Sequence, residues 1–129
     1  MSDTRLRTDP REDGFYMPGE WAEHSCCWMA WPCREGFWAN TEGTQQAYAN
    51  VANAIARFEP VKMLAPAHKL DAARALLNDG VEILEMVIDD SWARDSGPNF
   101  LVNATGELAG STWSSTPGGG NTAPTTRTP

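Results

Sequence analysis

Three short apolar runs alternate with two stretches of helical periodicity, and this order constrains the fold more than any other feature of the chain. The runs are Ser25–Trp31, Val61–Ala65 and Val81–Val87, each of strand length. Between them, apolar residues recur every three or four positions over residues 42–58 and 70–77, as in amphipathic helices. Because strands that alternate with helices build a sheet covered by those helices, the sequence predicts an α/β fold.

Turn-forming residues set the expected ends of these elements. Thr41 is the predicted N-cap of the first helix, and Pro60 ends that helix. Gly80 is predicted to close the second helix in the left-handed conformation. Farther along, residues 99–102 and 107–109 are predicted to pair as a hairpin around an Ala-Thr-Gly turn.

The segment Ile88–Pro98 concentrates charge directly after the third apolar run. It contains three aspartates, one arginine and Trp92 within eleven residues. Carboxylates at the end of a strand suit a cation, and a guanidinium pairs with carboxylates through two parallel hydrogen bonds. Trp92 offers an apolar wall or a cation–π face. The competing interpretation is an ordinary solvated loop with an internal ion pair between Arg94 and an aspartate, and spacing alone favours that interpretation.

Composition limits the classes of partner. The chain has 129 residues, enough for one domain, and a net charge of −7. This charge argues against nucleic acid and anionic membranes as partners and is compatible with cationic small molecules. No apolar run reaches transmembrane length, and the charged N-terminus lacks the apolar stretch of a secretory signal, so we expect a cytoplasmic location. The oligomeric state is left open by the sequence.

The three cysteines are Cys26, Cys27 and Cys33, an odd number within one segment. This count argues against a secreted disulfide framework. With His24 nearby a zinc site is conceivable, but the spacing lacks paired Cys-x-x-Cys ligands. We interpret the three cysteines as small buried apolar residues.

The two ends of the chain differ from its middle. Residues 1–13 form a polar N-terminal segment, and residues 114–129 contain no aliphatic side chain larger than alanine. Such a segment cannot contribute to a core, so we predict that residues 114–129 are disordered. The glycines at 118–120 lack the lysine and the following helix of a phosphate-binding loop.

Five motifs in one order resemble a known family. Residues 17–24 resemble its Met-Pro-x-Glu-Trp-x-x-His, residues 28–32 its Trp-x-Ala-Trp-Pro, and residues 54–61 the end of its first helix. Residues 90–98 resemble its Asp-x-Trp-x-Arg-Asp-x-Gly-Pro, and residues 106–110 follow as they do in the family. This family is that of the agmatine deiminases and the Porphyromonas-type peptidyl-arginine deiminases.

The resemblance implies a fold and an activity. The implied fold is the pentein, a five-bladed β/α propeller, of which residues 14–113 would form only the N-terminal one to two ββαβ units. The implied reaction is hydrolysis of a small cationic guanidine, with agmatine giving N-carbamoylputrescine and ammonia in putrescine biosynthesis. Peptidyl-arginine is the alternative substrate. The chemistry uses a cysteine nucleophile, a histidine and carboxylates, and it implies no metal or organic cofactor.

The resemblance also assigns roles within the acidic segment. Asp95 corresponds to the catalytic acid that grips the guanidinium, and Trp92 to a tryptophan that lines the substrate channel. Asp89 stands near an acid at the channel mouth. Arg94 is expected to be a structural partner rather than a catalytic group. Gly97 and its following proline are expected to shape the turn that aims Asp95 inward.

The chain departs from the family pattern after Trp113. The family continues near Phe-Asn-Ala-Trp-Gly-Gly-Lys-Tyr, and GC-rich codons for that segment, shifted by one base, read Ser-Thr-Pro-Gly-Ala-Ala-Asn-Thr. Residues 115–122 read Ser-Thr-Pro-Gly-Gly-Gly-Asn-Thr. The catalytic His is missing, and the Gly-Gly-Gly-Asn at 118–121 is followed by Thr122 instead of an apolar-His-Cys sequence. We interpret the chain as a frameshifted, truncated and inactive deiminase, with a genuine alternative tail as the competing explanation.

A second class of function stays open. The acidic segment would also serve a non-catalytic module that holds cationic ligands through Trp92 and the aspartates Asp89, Asp90 and Asp95. Turnover of agmatine distinguishes the two classes.

Overall fold

The structure is a computed structural model that describes residues 4–5, 9–111, 114–115, 121–122 and 125–128. Contacts divide the chain into two compact units, one of residues 23–93 and one of residues 1–22 with 94–129. The strands in chain order are β1 (Thr4–Arg5), β2 (Cys27–Ala30), β3 (Val61–Ala65), β4 (Val81–Glu85), β5 (Asn99–Val102), β6 (Leu108–Ser111), β7 (Ser114–Ser115), β8 (Asn121–Thr122) and β9 (Thr125–Thr128). The helices are α1 (Thr41–Ile55), α2 (Leu70–Leu76) and α3 (Ala93–Ser96), and a 3₁₀ turn spans Ala67–Lys69.

The unit of residues 23–93 is a parallel sheet with two crossover helices. Its strand order is β2-β3-β4, with α1 between β2 and β3 and α2 between β3 and β4. Met29 of β2 lies opposite Met63 of β3, which lies opposite Ile83 of β4. The predicted α/β fold is therefore confirmed. Parallel neighbours require such crossovers, and amphipathic helices supply them.

One face of this sheet forms the core of the unit. Val61, Met63 and Ala65 alternate along β3 and are almost completely buried. They pack with Ala49 and Ala52 of α1 and with the buried Trp31 and Ala73 in one cluster. Alanine at the helix positions leaves room for the larger side chains of the central strand.

Two predicted helix boundaries differ from the structure. The N-cap of α1 is Asn40, not Thr41, because the Asn40 Oδ1 accepts a hydrogen bond from the Gly43 N–H at 2.9 Å. Gly80 does not take the left-handed conformation. Instead, the Asn78 side chain accepts a hydrogen bond from the Gly80 N–H at 3.0 Å, which closes the turn without a positive φ.

The second unit contains an antiparallel sheet of order β1-β9-β6-β5. The predicted hairpin is confirmed, since β5 pairs with β6 and Gly106 adopts φ +80° in the turn between them. Tyr16 and Val102 exchange two backbone hydrogen bonds of 2.9 Å, which attach the segment around Tyr16 to the end of β5.

The structure describes only part of residues 114–129, the segment that is predicted to be disordered. The described residues of this range form β7, β8 and β9, and β9 pairs with both β6 and β1. Threonine at 125, 126 and 128 favours extended backbone because its side chain is β-branched. The other residues of this range lie outside the described part, and the prediction stays untested there. Across the described residues, no helix is both long enough and apolar enough to span a bilayer.

Candidate functional site

Three connections meet at the carboxyl edge of the parallel sheet. Residues 33–40 follow β2, the 3₁₀ turn Ala67–Lys69 follows β3, and residues 86–92 follow β4. The carboxyl ends of parallel strands lie at one edge, where α/β proteins bind ligands. The sheet therefore brings the acidic part of residues 86–92 to the edge that is best suited to a site.

Residues 88–92, here called the acidic loop, are fixed by contacts from elsewhere in their unit. The Cys33 thiol donates to the Ile88 carbonyl at 3.5 Å. The Tyr48 hydroxyl, on α1, donates to the Oγ of the buried Ser91 at 3.2 Å. These contacts lie near both ends of the loop, and they help to fix its backbone in addition to any ion pair at the surface.

The two aspartates of the acidic loop have different surroundings. The carboxylate of Asp90 accepts a hydrogen bond from Arg34 Nη1 at 3.2 Å, which makes an ion pair. Asp89 is exposed, and across the described residues no hydrogen bond or ion pair holds its carboxylate. Asp89 is therefore the acid of this loop that is available to a cation in solution.

An aromatic cluster lies beside the acidic loop. The rings of Trp92 and Trp38 have centroids 6.4 Å apart, and Trp38 meets Phe37 edge to face at 5.1 Å. The Arg34 guanidinium lies over the Phe37 ring at 5.0 Å from its centroid. Trp92 is 50% exposed, so about half of its surface is open to solvent.

Asp95 lies in the other unit, on the short helix α3, and its residue is exposed. Its neighbour Arg94 forms an ion pair with Glu20, at 2.7 Å between Nη1 and Oε1. This hydrogen bond raises the pKa of the Arg94 guanidinium. The competing prediction of an ion pair inside residues 88–98 is wrong, because Arg94 pairs with an acid of the N-terminal Met-Pro-x-Glu-Trp motif instead.

Cys27 and Cys33 lack the lowered pKa of an activated nucleophile. Burial raises the pKa of the Cys33 thiol, and burial together with the charge of Glu59 raises the pKa of Cys27. A catalytic thiol needs the opposite shift. His24 is the histidine nearest to the cysteines in sequence, and its Nδ1 lies 3.3 Å from Oε2 of Glu59.

The residues that support the acidic loop were not predicted from the sequence. Arg34, Trp38 and Tyr48 received no predicted role, yet all three contact residues 90–92. A usable signal was present, since Arg34 and Trp38 follow the end of β2 and must lie at the edge that also holds the end of β4.

A family model described as Porphyromonas-type peptidyl-arginine deiminase matches residues 16–127. The match extends beyond residue 113, where the resemblance by motif ends. It includes the acidic loop, Asp95 and the motif that contains Glu20.

Individual relatives agree with this match. An agmatine deiminase of Stutzerimonas stutzeri is 49% identical over 119 residues, which are 91% of this chain and 32% of the relative. A solved structure of agmatine deiminase from Enterococcus faecalis superposes with a TM-score of 0.76 at 36% identity, over 82% of this chain and 30% of that one. A putative arginine deiminase from Porphyromonas gingivalis gives a TM-score of 0.59 at 26% identity, over 73% and 28% of the two chains. This chain thus spans about a third of the length of the relatives it matches.

Proposed function

The chain belongs to the Porphyromonas-type peptidyl-arginine deiminase family, and we propose that it supplies the N-terminal part of a guanidine deiminase. The proposed reaction is hydrolysis of agmatine to N-carbamoylputrescine and ammonia. The similarity to proteins named agmatine deiminases supports this substrate over other guanidines. The proposed architecture is one to two ββαβ units of a pentein, and the proposed location is the cytoplasm.

The proposal gives each acid of the site a separate task. Asp95 grips the guanidinium through charge-assisted hydrogen bonds, Trp92 lines the approach, and Asp89 attracts the cation at the mouth. A guanidinium has only donors, so ionised carboxylates are its natural partners.

One observation carries the proposal. In the acidic loop, Asp89 presents an exposed carboxylate that no described residue neutralises, three positions from the half-exposed ring of Trp92. A carboxylate and an aromatic face on one anchored loop form a receptor for a small organic cation. The cationic side chain of Arg34 also contacts this loop, but its ion pair is with Asp90.

The bond-breaking groups must come from elsewhere in the proposed enzyme. The thiols of Cys27 and Cys33 have raised pKa values and are poor nucleophiles at neutral pH. We propose that the catalytic cysteine and histidine belong to the two thirds of the family domain that this chain does not match. The term family-length protein is used below for a chain in which residues 1–113 are followed by that remaining part of the family domain.

The test of the proposed site is Asp95→Asn in the family-length protein. The substitution removes the charge and turns an amide donor towards a guanidinium that only donates. Losing such a pair costs about 2–5 kcal/mol, which is about thirtyfold to five-thousandfold in turnover of agmatine. The matched control is Asp79→Asn, at an exposed aspartate in the turn after α2, and it should keep wild-type turnover. Activity of Asp95→Asn within about threefold of wild type would show that the assignment of Asp95 is wrong.

Two alternative functions can be tested with the same family-length protein. The family description names peptidyl-arginine, so formation of peptidyl-citrulline is measured beside formation of N-carbamoylputrescine. A non-catalytic cation-binding module, which the exposed Asp89 also fits, would bind agmatine in calorimetry without releasing ammonia.

A further inference from the structure

Trp38 has a place in the structure that the proposed roles of Asp89, Asp95 and Trp92 do not explain. It lies between two other rings, with Phe37 meeting it edge to face and Trp92 tilted by 36° at 6.4 Å. Its indole Nε1 is buried and has no acceptor in the part of the chain that the structure describes. Ring packing, rather than a hydrogen bond to a described residue, therefore holds Trp38 in place.

Two local features shape the segment that carries Trp38. Gly36 adopts φ +70°, a conformation that favours glycine, and so fixes the turn before Phe37. Glu35 accepts a hydrogen bond from Lys69 Nζ at 2.9 Å, and this contact lowers the pKa of the Glu35 carboxyl. The Lys69 pair ties the segment to the connection after β3, so Trp38 is presented on a constrained loop.

The ring of Trp92 is partly open to solvent. It sits at the end of the acidic loop and is 50% exposed, so solvent meets much of its surface. A half-exposed tryptophan without a neighbouring ring would sample several side-chain conformations. The ring of Trp38 packs beside that of Trp92.

We propose that Trp38 is a positioning residue, which holds the ring of Trp92 in the orientation that receives the substrate cation. This inference rests on the proposed function for the role of Trp92. Arg34 supports the arrangement from both sides, because its guanidinium lies over Phe37 and also pairs with Asp90 of the acidic loop. The connection after β2 is thereby a support for the binding loop after β4.

The chain offers a matched control in Trp28. This tryptophan is in the same unit and is 43% exposed, but its ring lies under the Lys62 ammonium at 5.4 Å, on β2 and not among the aromatic residues of the cluster. Trp28→Leu removes the same side chain as Trp38→Leu without touching Phe37 or Trp92.

The kinetic test uses agmatine and the family-length protein. An aromatic pair in this geometry contributes about two- to tenfold in an equilibrium constant, so Trp38→Leu should raise KM by about that factor and keep kcat within about twofold. Trp38→Phe retains a ring and should restore KM to within about twofold of wild type. Trp28→Leu should leave both constants unchanged. An unchanged KM in Trp38→Leu, or an equal rise in Trp28→Leu, would overturn the proposal.

A second readout does not depend on turnover. The indole N–H resonance of Trp92, identified by its loss in Trp92→Phe, should shift in Trp38→Leu, because the ring current of the neighbouring tryptophan is removed. It should not shift in Trp28→Leu. If the wild-type protein converts no agmatine, the proposed function fails, and this resonance alone then decides the positioning role. A Trp92 resonance that is indifferent to Trp38→Leu contradicts it.

Discussion

At the scale of single residues, Asp89 and Asp90 show how neighbours in sequence acquire different chemistry. Asp90 pairs with Arg34, which is 56 positions away, whereas Asp89 remains exposed without a described partner. Arg94 shows the same principle, since its partner Glu20 is 74 positions away. Both arginines therefore pair with acids that are distant in sequence, and Asp89 is the acid that we propose meets a ligand.

The thiol of Cys33 is predicted to be unreactive in the folded family-length protein. Burial raises its pKa above the ordinary value of 9.0, so at neutral pH the thiol stays protonated and alkylation by iodoacetamide should be much slower than in the urea-unfolded chain. As the pH rises past 9.0 the unfolded chain loses this proton first, so stability should fall there. Mass spectrometry of labelled peptides measures the rate, with Cys26 as the internal comparison. Equal labelling of folded and unfolded chains at Cys33 would contradict the prediction.

At the scale of elements, the parallel sheet determines which distant residues meet. The acidic loop follows β4, the segment with Arg34 and Trp38 follows β2, and both strands pair with β3 in the same direction. Strand direction places the two connections at one edge, and the side-chain contacts there are built on that geometry.

The cap of α1 gives a prediction at this scale. Asn40→Ala removes the acceptor for the Gly43 N–H and should cost about 1 kcal/mol of stability, with the loss of hydrogen-exchange protection concentrated in the first turn of α1. The matched control is Asn50→Ala, at an exposed position within the same helix, where alanine favours the helix. Equal loss of protection in the two variants would show that Asn40 does not cap α1.

Much of this element order was predictable from the sequence. The apolar run Val61–Ala65 coincides with β3, and the periodic stretches overlap α1 and α2, although α1 begins one residue before its stretch and ends three residues before the end of it. The cap and the turn at Gly80 were not predictable, because Asn40 and Thr41 are both good caps, and Asn78 offered a side-chain hydrogen bond that competes with a left-handed glycine.

The candidate site was predictable in its acidic segment but not in the residues that support that segment. Asp89 and Trp92 stand out because acids and an aromatic residue follow a strand directly. Local pattern gave no sign of the supporting residues, since each is separated from the acidic loop by at least one whole helix or strand, and only the strand order could place Arg34 and Trp38 at its edge of the sheet. Their contacts arise from tertiary packing, which a periodicity does not encode.

At the scale of the whole molecule, the described residues leave large apolar side chains in contact with solvent. Trp21, Phe58 and Val87 are 93%, 85% and 99% exposed. We predict that another part of the family-length protein covers these side chains. The match to about a third of each relative agrees with this, and the frameshift interpretation of residues 114–129 stays a prediction, because much of that range lies outside the described residues.

A polypeptide of these 129 residues is predicted to fold poorly by itself. We expect binding of hydrophobic dyes, self-association and a broad thermal transition, because uncovered apolar surface weakens cooperativity. The family-length protein is the comparison and should melt sharply without binding dye. A two-state melt of a monomeric 129-residue chain, with dispersed amide resonances, would instead favour a stand-alone cation-binding module.

The most direct test of the central claim measures products from agmatine, with the family-length protein and the 129-residue polypeptide side by side. The family-length protein is predicted to release ammonia and N-carbamoylputrescine in equal amounts, because the residues around Asp95 then meet a cysteine nucleophile and a histidine. The 129-residue polypeptide is predicted to release no ammonia above a variant that lacks Cys26, Cys27 and Cys33. Ammonia release by the 129-residue polypeptide above that variant, or no hydrolysis of agmatine by the family-length protein, would contradict the claim.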